Sequence, residues 1–463
     1  MKHQSLAQIA QNLRQHKLSA AELVAKAVAG FDSSESVVHA YKHWAGTQAA
    51  RQADAVDVFF EAGQDHGPLM GMPVSVKDLY GVPNMPVFAG TDTAFAESWQ
   101  APGPLVQSVI SQLGIVMGKT HTVEFAFGGI GTNPHWGAPV NPWSGKDAPR
   151  VSGGSSSGAG VSLAQGSALV ALGTDTAGSV RIPAAFTGQC ALKTTHGRWS
   201  TQGIVPLSPS LDTPGVLCRT VEDLAFAFAA LDGSDKDPVG PRGLSGLRIG
   251  VIENVVWDEI DPTIAANTEA ALSTLEAKGA IVSGLTLPGV DAVLEIFRQG
   301  GLAAPELRSF MDADCPDRIT RLDPMVRARV EGADQISSTE YLRRRDVLAK
   351  TGRDGLSVFD RFDVLLSPTV PVSAPLQSDM TDGAAYRTAN MLALRNTAIV
   401  NLFGWCALTL PSGIDGNGIP SGIQLIAPPM QETRLLAIAL GVEAAVGRAP
   451  ELLGRPPLLS SAT

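Results

Sequence analysis

The sequence predicts an α/β fold in which helices cover both faces of a central sheet. Short apolar segments that resemble strands alternate with helical patterns along most of the chain, as in folds built around such a sheet. Apolar residues make up 44% of the 463 residues and charged residues 17%, which predicts a packed core. The sequence contains neither a linker nor an internal repeat, so we predict one domain over residues 1–463.

The chain opens with a predicted helical region, residues 1–62. Ser19 and Glu22 have the spacing of a capping box, in which each side chain bonds the backbone amide of the other residue. Apolar residues recur at helical spacing in residues 45–60, which indicates a further helix.

Strand-like segments begin in the predicted core, residues 63–230, and continue beyond it. A short helix is predicted at residues 159–165, where Gly166 ends the pattern. The segments that resemble strands are residues 72–77, 115–119, 167–173, 248–252, 280–285, 363–367, 407–410 and 422–426.

Residues 290–350 differ from the rest of the chain. They are rich in charged residues, follow a helical pattern and lack strand signals. We therefore expect a helical segment that lies over the sheet and forms part of a substrate cover.

Charge and composition exclude several classes of partner. The formal net charge is −10, and an acidic surface repels the phosphates of nucleic acids. The four cysteines are widely spaced and form no C-x-x-C pair, so neither a disulfide framework nor a zinc site is indicated. The N-terminus lacks an apolar signal core, and the longest apolar run is too short to span a bilayer. We predict a cytoplasmic protein with neither a membrane nor a nucleic-acid partner.

Two loops of small residues, 153–158 and 173–183, carry the candidate chemistry. Ser179 follows small residues whose backbone amides are open to a developing oxyanion. A serine hydroxyl needs a base before it becomes a good nucleophile, yet none of the eight histidines lies in either loop. The alternative for Ser179 alone is a glycine-rich turn with an incidental serine.

Lys77 is the candidate base, because it ends an apolar strand-like segment. Burial disfavours the ammonium form and lowers the pKa of a lysine, and a neutral lysine can act with a serine in catalysis. The alternative for a lone lysine at a strand end is a solvated charge.

Several segments together resemble the amidase signature family, in order and in spacing over nearly the whole chain. They are residues 71–78 (GMPVSVKD), 153–158 (GGSSSG), 173–183 (GTDTAGSVRIP), 188–198 (GQCALKTTHGR), 210–215 (SLDTPG), 363–369 (DVLLSPT) and 418–424 (GIPSGIQ). The resemblance implies a large mixed sheet with helices on both faces.

The resemblance also implies a role for each residue of the site. Ser179 corresponds to the nucleophile, Ser155 to a serine on a cis peptide bond that relays the proton, and Lys77 to the base. No metal or organic cofactor is implied. The oxyanion hole would consist of the backbone amides of Thr176, Ala177, Gly178 and Ser179. The supporting residues would be Ser156, Asp175 and Arg181.

The expected reaction is hydrolysis of a small or medium carboxylic amide, aryl or apolar substrates included, to the acid and ammonia or an amine. The expected substrate pocket contains Phe125, Phe127, Gly128, Gly129 and Trp405.

Two alternatives and the oligomeric state remain open. The first alternative is the A-type component of glutamyl-tRNA amidotransferase, which usually has glutamines where this chain has Ile182 and Thr213. The second alternative is a catalytically silent binding protein of the same fold. A homodimer is left open.

Overall fold

The computed structural model describes residues 4–233 and 239–460. Within them eleven strands form one sheet in the order β1-β3-β2-β4-β6-β5-β10-β11-β9-β7-β8. The strands are β1 (Tyr41–Trp44), β2 (Pro73–Lys77), β3 (Ile115–Thr120), β4 (Val170–Asp175), β5 (Cys190–Lys193), β6 (Thr213–Cys218), β7 (Arg248–Ile252), β8 (Ile281–Leu285), β9 (Val364–Pro368), β10 (Cys406–Ile414) and β11 (Pro420–Ala427).

The sheet is mixed, as predicted. Strand β2 pairs in parallel with β3 and β4, and β7 pairs in parallel with β8 and β9. The pairs β4–β6, β6–β5, β5–β10, β10–β11 and β11–β9 are antiparallel. The parallel groups are therefore joined by an antiparallel centre.

Fifteen helices accompany the sheet in the described part of the chain. They are α1 (Leu6–Arg14), α2 (Ala20–Val38), α3 (Gly46–Glu61), α4 (Pro104–Ser111), α5 (Ser157–Gln165), α6 (Arg181–Thr187), α7 (Val221–Asp232), α8 (Pro262–Ala277), α9 (Val290–Arg298), α10 (Ala303–Asp314), α11 (Pro324–Gly332), α12 (Ser338–Asp354), α13 (Gly383–Leu402), α14 (Glu432–Val446) and α15 (Ala449–Leu452).

Both faces of the sheet are buried. Along β4, Val170 and Leu172 belong to the largest core cluster, whereas Ala171 between them belongs to a second cluster with residues of α5 and α6. Successive side chains of a strand point to opposite faces, so apolar packing covers the sheet on each side. The predicted fold class is confirmed, and the single domain over residues 1–463 stays a prediction.

The sequence interpretation missed three strands. Strand β1 lies inside the region predicted as helical and pairs with β3. It has only four residues, which are too few to show the alternation of a strand. Strand β5 is equally short. Strand β6 contains Pro214 and Gly215, which are usually depleted in strands. A Cβ atom on Gly215 would lie 2.8 Å from the carbonyl oxygen of Leu192 in the neighbouring strand, so the site requires glycine.

Residues 290–350 are helical in the structure, as predicted, and comprise α9–α12 with short 3₁₀ turns. Val290, Val293 and Leu294 of α9 join the same apolar cluster as residues of β8 and β9. We call residues 303–354 the cover. No helix of residues 4–233 and 239–460 has both the length and the apolar composition that crossing a membrane requires.

Candidate active site

The amine of Lys77 lies at the end of β2, deep inside the protein. Strands β3 and β4 flank β2 on both sides, and Lys77 is completely buried. Its Nζ atom donates hydrogen bonds to Ser155 Oγ at 2.7 Å and to Thr174 Oγ1 at 2.8 Å. The structure thus joins Lys77 to one of the two predicted catalytic serines.

Burial lowers the pKa of Lys77 from its usual value of 10.5 to about 7, and the nearby Asp212 and Asp175 carboxylates act in the opposite direction. Removal from water disfavours the ammonium form, and two anions restore part of its stability. A lysine with this pKa can accept and return a proton near neutral pH.

Backbone contacts fix the loop that carries Ser155. The peptide bond between Gly154 and Ser155 is cis, as the resemblance implied. The Gly154 amide donates to the Gly129 carbonyl oxygen at 2.9 Å, and the Ser155 carbonyl oxygen accepts from the Val123 amide at 3.1 Å. Gly153 has a φ of +82°, and a Cβ there would lie 2.9 Å from Pro183 Cα.

Ser179 lies in the loop that follows β4, which we call the nucleophile loop (residues 175–180). Its carbonyl oxygen accepts from the amide of Ser156 at 3.2 Å, so the two predicted serine loops are in direct contact. The Ser179 hydroxyl makes no hydrogen bond with any other residue of 4–233 and 239–460, and its oxygen is not among the enclosed, unpaired polar atoms. The hydroxyl oxygen therefore keeps some solvent access, although Ser179 as a whole is only 3% exposed.

The carboxylate of Asp175 binds two backbone amides of the nucleophile loop. It accepts from the Gly178 amide at 2.7 Å and from the Val180 amide at 3.2 Å. The predicted oxyanion hole needs a correction here, because the Gly178 amide is already bonded to this carboxylate. The amides of Thr176, Ala177 and Ser179 form no hydrogen bond within the described residues, and they remain the candidate donors.

Arg181 completes the support of the loop. Its guanidinium pairs with Asp175 at 3.0 Å, and both side chains are completely buried. It also donates to Gln424 Oε1 and to Asn401 Oδ1, on β11 and α13. Burial raises the pKa of Asp175, but Arg181 and the hydrogen bonds outweigh burial and bring the pKa to about 2. Asp175 is therefore an anion at neutral pH, and the ion pair ties the loop to two other elements.

Ser156 connects the two loops through its side chain as well as its amide. Its Oγ donates to the Thr174 carbonyl oxygen at 3.3 Å, and Thr174 also accepts from Lys77. The predicted supporting residues Ser156, Asp175 and Arg181 thus all contact the loops that carry the catalytic candidates.

The predicted pocket residues divide into two groups. Gly129 lies beside the Ser155 loop, and its amide donates to Asn390 Oδ1 at 2.7 Å. A Cβ on Gly128 would lie 2.7 Å from the Tyr386 hydroxyl, and the half-buried Phe127 directly precedes Gly128 in the chain. These three residues adjoin the candidate site.

Phe125 and Trp405 belong to the core and not to the pocket, which corrects the prediction. Phe125 is completely buried and packs edge-on against Phe95 and Phe310. Trp405 is 1% exposed, packs against Phe403, and donates from its indole nitrogen to the Gly352 carbonyl oxygen. Aromatic residues near a motif gave no information on whether they face a cavity or the core.

Arg329 of α11 is a candidate pocket residue that the sequence interpretation missed. Its Nη2 atom donates to the Phe127 carbonyl oxygen at 2.5 Å, and its guanidinium lies 4.3 Å from the Phe127 ring centroid. No carboxylate within residues 4–233 and 239–460 pairs with this half-buried cation, whose Nη2 also lies 3.4 Å from the Tyr386 hydroxyl. The sequence around Arg329 is a charged helical pattern, which does not indicate that this arginine contacts Phe127.

Comparison with known protein families gives the class of the protein. The sequence profile of the Amidase family matches residues 22–436. The chain belongs to this family and is an enzyme that hydrolyses carbon–nitrogen amide bonds.

Individual relatives narrow the comparison. The chain is 57% identical to "2-amino-5-chloromuconic acid deaminase" of Comamonas testosteroni, over 98% of this chain and 99% of the relative. It is 32% identical to "Amidase" of Pseudomonas putida, over 97% of this chain and 98% of the relative. A solved structure, "Crystal structure of amidase", is similar with a TM-score of 0.84 at 26% identity, over 96% of this chain and 100% of that chain.

Proposed function

We propose that Ser179 is the nucleophile of the hydrolysis, with Lys77 as the base and Ser155 as the proton relay between them. The observation that carries this proposal is the buried hydrogen bond of 2.7 Å from Lys77 Nζ to Ser155 Oγ. The bond between the Ser156 amide and the Ser179 carbonyl oxygen, which joins the two serine loops, supports it, and the proposal requires the hydroxyls of Ser179 and Ser155 to meet when substrate binds.

In the first half of the reaction an acyl-enzyme forms. Ser179 Oγ attacks the carbonyl carbon and gives its proton to Ser155 Oγ, while the proton of Ser155 passes to neutral Lys77. The carbonyl oxygen becomes an oxyanion, which the amides of Thr176, Ala177 and Ser179 stabilise. Each such donor is typically worth about 3–4 kcal/mol in the transition state.

The tetrahedral intermediate then collapses. The carbon–nitrogen bond breaks, and the leaving nitrogen receives the proton that returns from Lys77 through Ser155. Water attacks the ester carbon of the acyl-enzyme and loses its proton to the same relay. The ester bond to Ser179 breaks, the acid leaves, and Ser179 regains its proton.

We propose that the substrate is a small acid that carries a carboxylate remote from the reacting carbon and releases ammonia. The relative at 57% identity is named for an amine of muconic acid, a six-carbon diacid. Arg329, unpaired with any carboxylate of the described residues and bonded to the Phe127 carbonyl, supplies a cation beside the pocket glycines. A guanidinium is well suited to hold a carboxylate through paired hydrogen bonds.

The name of that relative favours a second candidate reaction at the same site. The imine tautomer of a 2-amino diene acid has an electrophilic carbon doubly bonded to nitrogen. One water adds to this carbon, the carbon–nitrogen bond breaks, and the products are a 2-oxo acid and ammonia. The relay of Lys77, Ser155 and Ser179 takes the proton of the attacking water and delivers it to the leaving nitrogen, so this hydrolysis uses the same side chains without an acyl-enzyme.

The less favoured alternative is that the chain is the A subunit of a glutamyl-tRNA amidotransferase. We favour a free-standing enzyme because this chain has Ile182 and Thr213 where that subunit usually has glutamines. Both lie inside the protein: Ile182 is buried in an apolar cluster, and Thr213 Oγ1 donates to the Asp175 carbonyl oxygen at 2.6 Å. The cytoplasmic location and the homodimer stay predictions from the sequence.

Ammonia release from a substrate panel tests the proposal. The panel contains 2-aminomuconic acid, an aliphatic amide, an aryl amide, a ureido compound and free glutamine. We expect turnover of 2-aminomuconic acid or a small amide, its loss in Ser179→Ala, and wild-type turnover in Ser98→Ala, an exposed control serine. Turnover of glutamine alone would support the amidotransferase component, and a folded protein inactive on the whole panel would support the silent binding protein.

A further inference from the structure

The carboxylate of Asp212 lies behind the nucleophile loop and holds it by a side chain. Thr176 Oγ1 donates to Asp212 Oδ1 at 2.6 Å. The amides of Leu207 and Ser208 donate to Asp212 Oδ2 at 2.9 and 3.0 Å. With three donors on two oxygens and 7% exposure, the carboxylate has a fixed orientation, and it fixes Thr176 in turn.

The turn that carries Asp212, residues 207–212, is itself anchored to the cover. Ser208 Oγ and the Ser210 amide donate to Glu306 Oε2 at 2.9 and 3.0 Å. The hydroxyl of Tyr341 donates to Glu306 Oε1 at 2.8 Å. Asp212 therefore belongs to a continuous hydrogen-bonded network that extends from α10 and α12 to the nucleophile loop.

Asp212 also faces charged and titratable groups of the site. Burial raises the pKa of Asp212 to about 6, and Glu306 acts in the same direction. In its anionic form Asp212 favours the ammonium form of Lys77, which faces Asp175 as well. The pKa of Tyr80 is raised mainly by burial and, to a smaller extent, by the same Asp212 anion.

We propose that Asp212 is a positioning residue for the reaction, which through Thr176 keeps the backbone amides of the nucleophile loop directed at the oxygen of the reacting carbonyl. The proposal rests on the proposed function, because it assigns these amides to the oxyanion. Asp212 contacts Thr176 and its own turn, and its positioning effect passes through Thr176, whereas its charge acts separately on the pKa of Lys77.

A pair of substitutions at position 176 isolates the hydrogen bond. Thr176→Val keeps the shape of the side chain and removes its donor, whereas Thr176→Ser keeps the donor. Because one misdirected oxyanion donor costs up to about 10²–10³ in kcat, we expect Thr176→Val to lower kcat by about tenfold or more with little change in KM, and Thr176→Ser to restore most of the loss. Equal losses in the two variants, or wild-type kcat in Thr176→Val, would overturn the proposal.

Asp212→Asn adds a readout that a structural role alone would not move. Loss of the anion lowers the pKa of Lys77, so the rising limb of the kcat/KM profile should move to lower pH while kcat falls. A limb that stays in place would contradict the charge effect of Asp212 on Lys77, and an unchanged kcat in Asp212→Asn would overturn the positioning role. If Asp212→Asn does not fold, as judged by circular dichroism, the kcat values of Thr176→Val and Thr176→Ser test the positioning role by themselves.

One further measurement separates this proposal from the proposed function. A serine-reactive fluorophosphonate is applied to the wild type, to Thr176→Val and to Thr274→Val, a control whose lost hydroxyl bonds only within α8. We expect labelling of Ser179 in all three, slowest in Thr176→Val. Failure to label Ser179 in the wild type would defeat the proposed function together with this proposal. Equal rates in the three proteins would overturn the positioning role alone.

Discussion

Lys77 is a residue whose chemistry depends on its surroundings. It is completely buried between two strands, and within residues 4–233 and 239–460 its amine donates only to the hydroxyls of Ser155 and Thr174. No carboxylate within residues 4–233 and 239–460 forms an ion pair with it, in contrast to the buried Lys119, which pairs with Asp78 at 2.8 Å. Because desolvation is uncompensated by an ion pair, the amine loses its proton near neutral pH.

The pH dependence of kcat/KM tests whether Lys77 is neutral near pH 7. The base must be neutral, and burial brings the pKa of Lys77 to about 7. Activity should therefore be low at pH 5, rise through about pH 7 and level off above it, and Lys77→Ala should lose nearly all activity. Lys350→Ala, on the exposed face of α12, should follow the wild-type profile. Full activity at pH 5 would rule out a lysine base.

Arg329 should decide whether a carboxylate on the substrate is bound. Hydrogen bonds to charged groups are worth about 1.5–3 kcal/mol, so Arg329→Met should raise KM roughly 10- to 150-fold for 2-aminomuconic acid and leave the KM of a neutral amide nearly unchanged. Arg327→Met, on the same helix but paired with Glu331, is the matched control. Equal effects on the two substrates would contradict carboxylate recognition.

Sequence reasoning found the residues that occur in motifs and missed those that act through distant contacts. Lys77, Ser155 and Ser179 lie in glycine-rich or strand-end segments with a recognisable order. Arg329 is 202 residues from Phe127, whose carbonyl it binds, and no local pattern reports such a contact. The amide of Gly178 was assigned to the oxyanion because the sequence does not show that Asp175 already binds it.

At the level of elements, the cover is attached to the core beside the candidate pocket. Glu124 Oε2 accepts from the amide of Asp323, the residue that caps α11, and Glu124 Oε1 pairs with His135 Nε2, both at 2.8 Å. Arg318 donates to Thr91 Oγ1 at 2.7 Å. These contacts fix the start of the helix that carries Arg329.

Loss of the Glu124 contact should loosen the cover. In Glu124→Ala we expect a higher KM for 2-aminomuconic acid, little change in kcat, and faster proteolytic cleavage in residues 315–323, because the amide of Asp323 loses its partner. Glu331→Ala, an exposed position on α11, provides the control. Unchanged cleavage and unchanged KM would show that Glu124 does not hold the cover.

Element prediction succeeded where the apolar pattern was long enough. Strand β7 coincides with the predicted residues 248–252, and the helices α9 to α12 lie in or extend just past residues 290–350. Strands β1 and β5 have four residues each, which is too few to establish a period. Strand β6 contains Pro214, and proline within a segment argues against a strand. Its pairing with β4 and β5 therefore had to come from the structure.

At the scale of the whole molecule, one buried ion pair joins the site to the fold. Arg181 and Asp175 are both inaccessible to solvent, and Arg181 also bonds residues of α13 and β11. The overall α/β class was predictable because the resemblance extends over nearly the whole chain. The order of the eleven strands required the structure, since β10 pairs with β5 across more than two hundred residues.

Removal of one partner of this pair should destabilise the protein globally. Arg181→Met leaves the Asp175 carboxylate buried without its cation, and such changes cost about 3–5 kcal/mol. Denaturant unfolding should show a decrease of this size in the free energy of unfolding. Arg343→Met breaks an exposed pair with Glu340 and should cost at most about 1 kcal/mol. Equal effects in the two variants would contradict the structural role of the buried pair.

The measurement that tests the central claim most directly is mass spectrometry of the intact protein and its peptides after reaction with a fluorophosphonate. We expect a single adduct on Ser179, formed faster as pH rises through about 7, absent in Ser179→Ala and strongly slowed in Lys77→Ala. An adduct on a different serine, or none on a folded protein that releases ammonia, would contradict the assignment of Ser179 as the nucleophile.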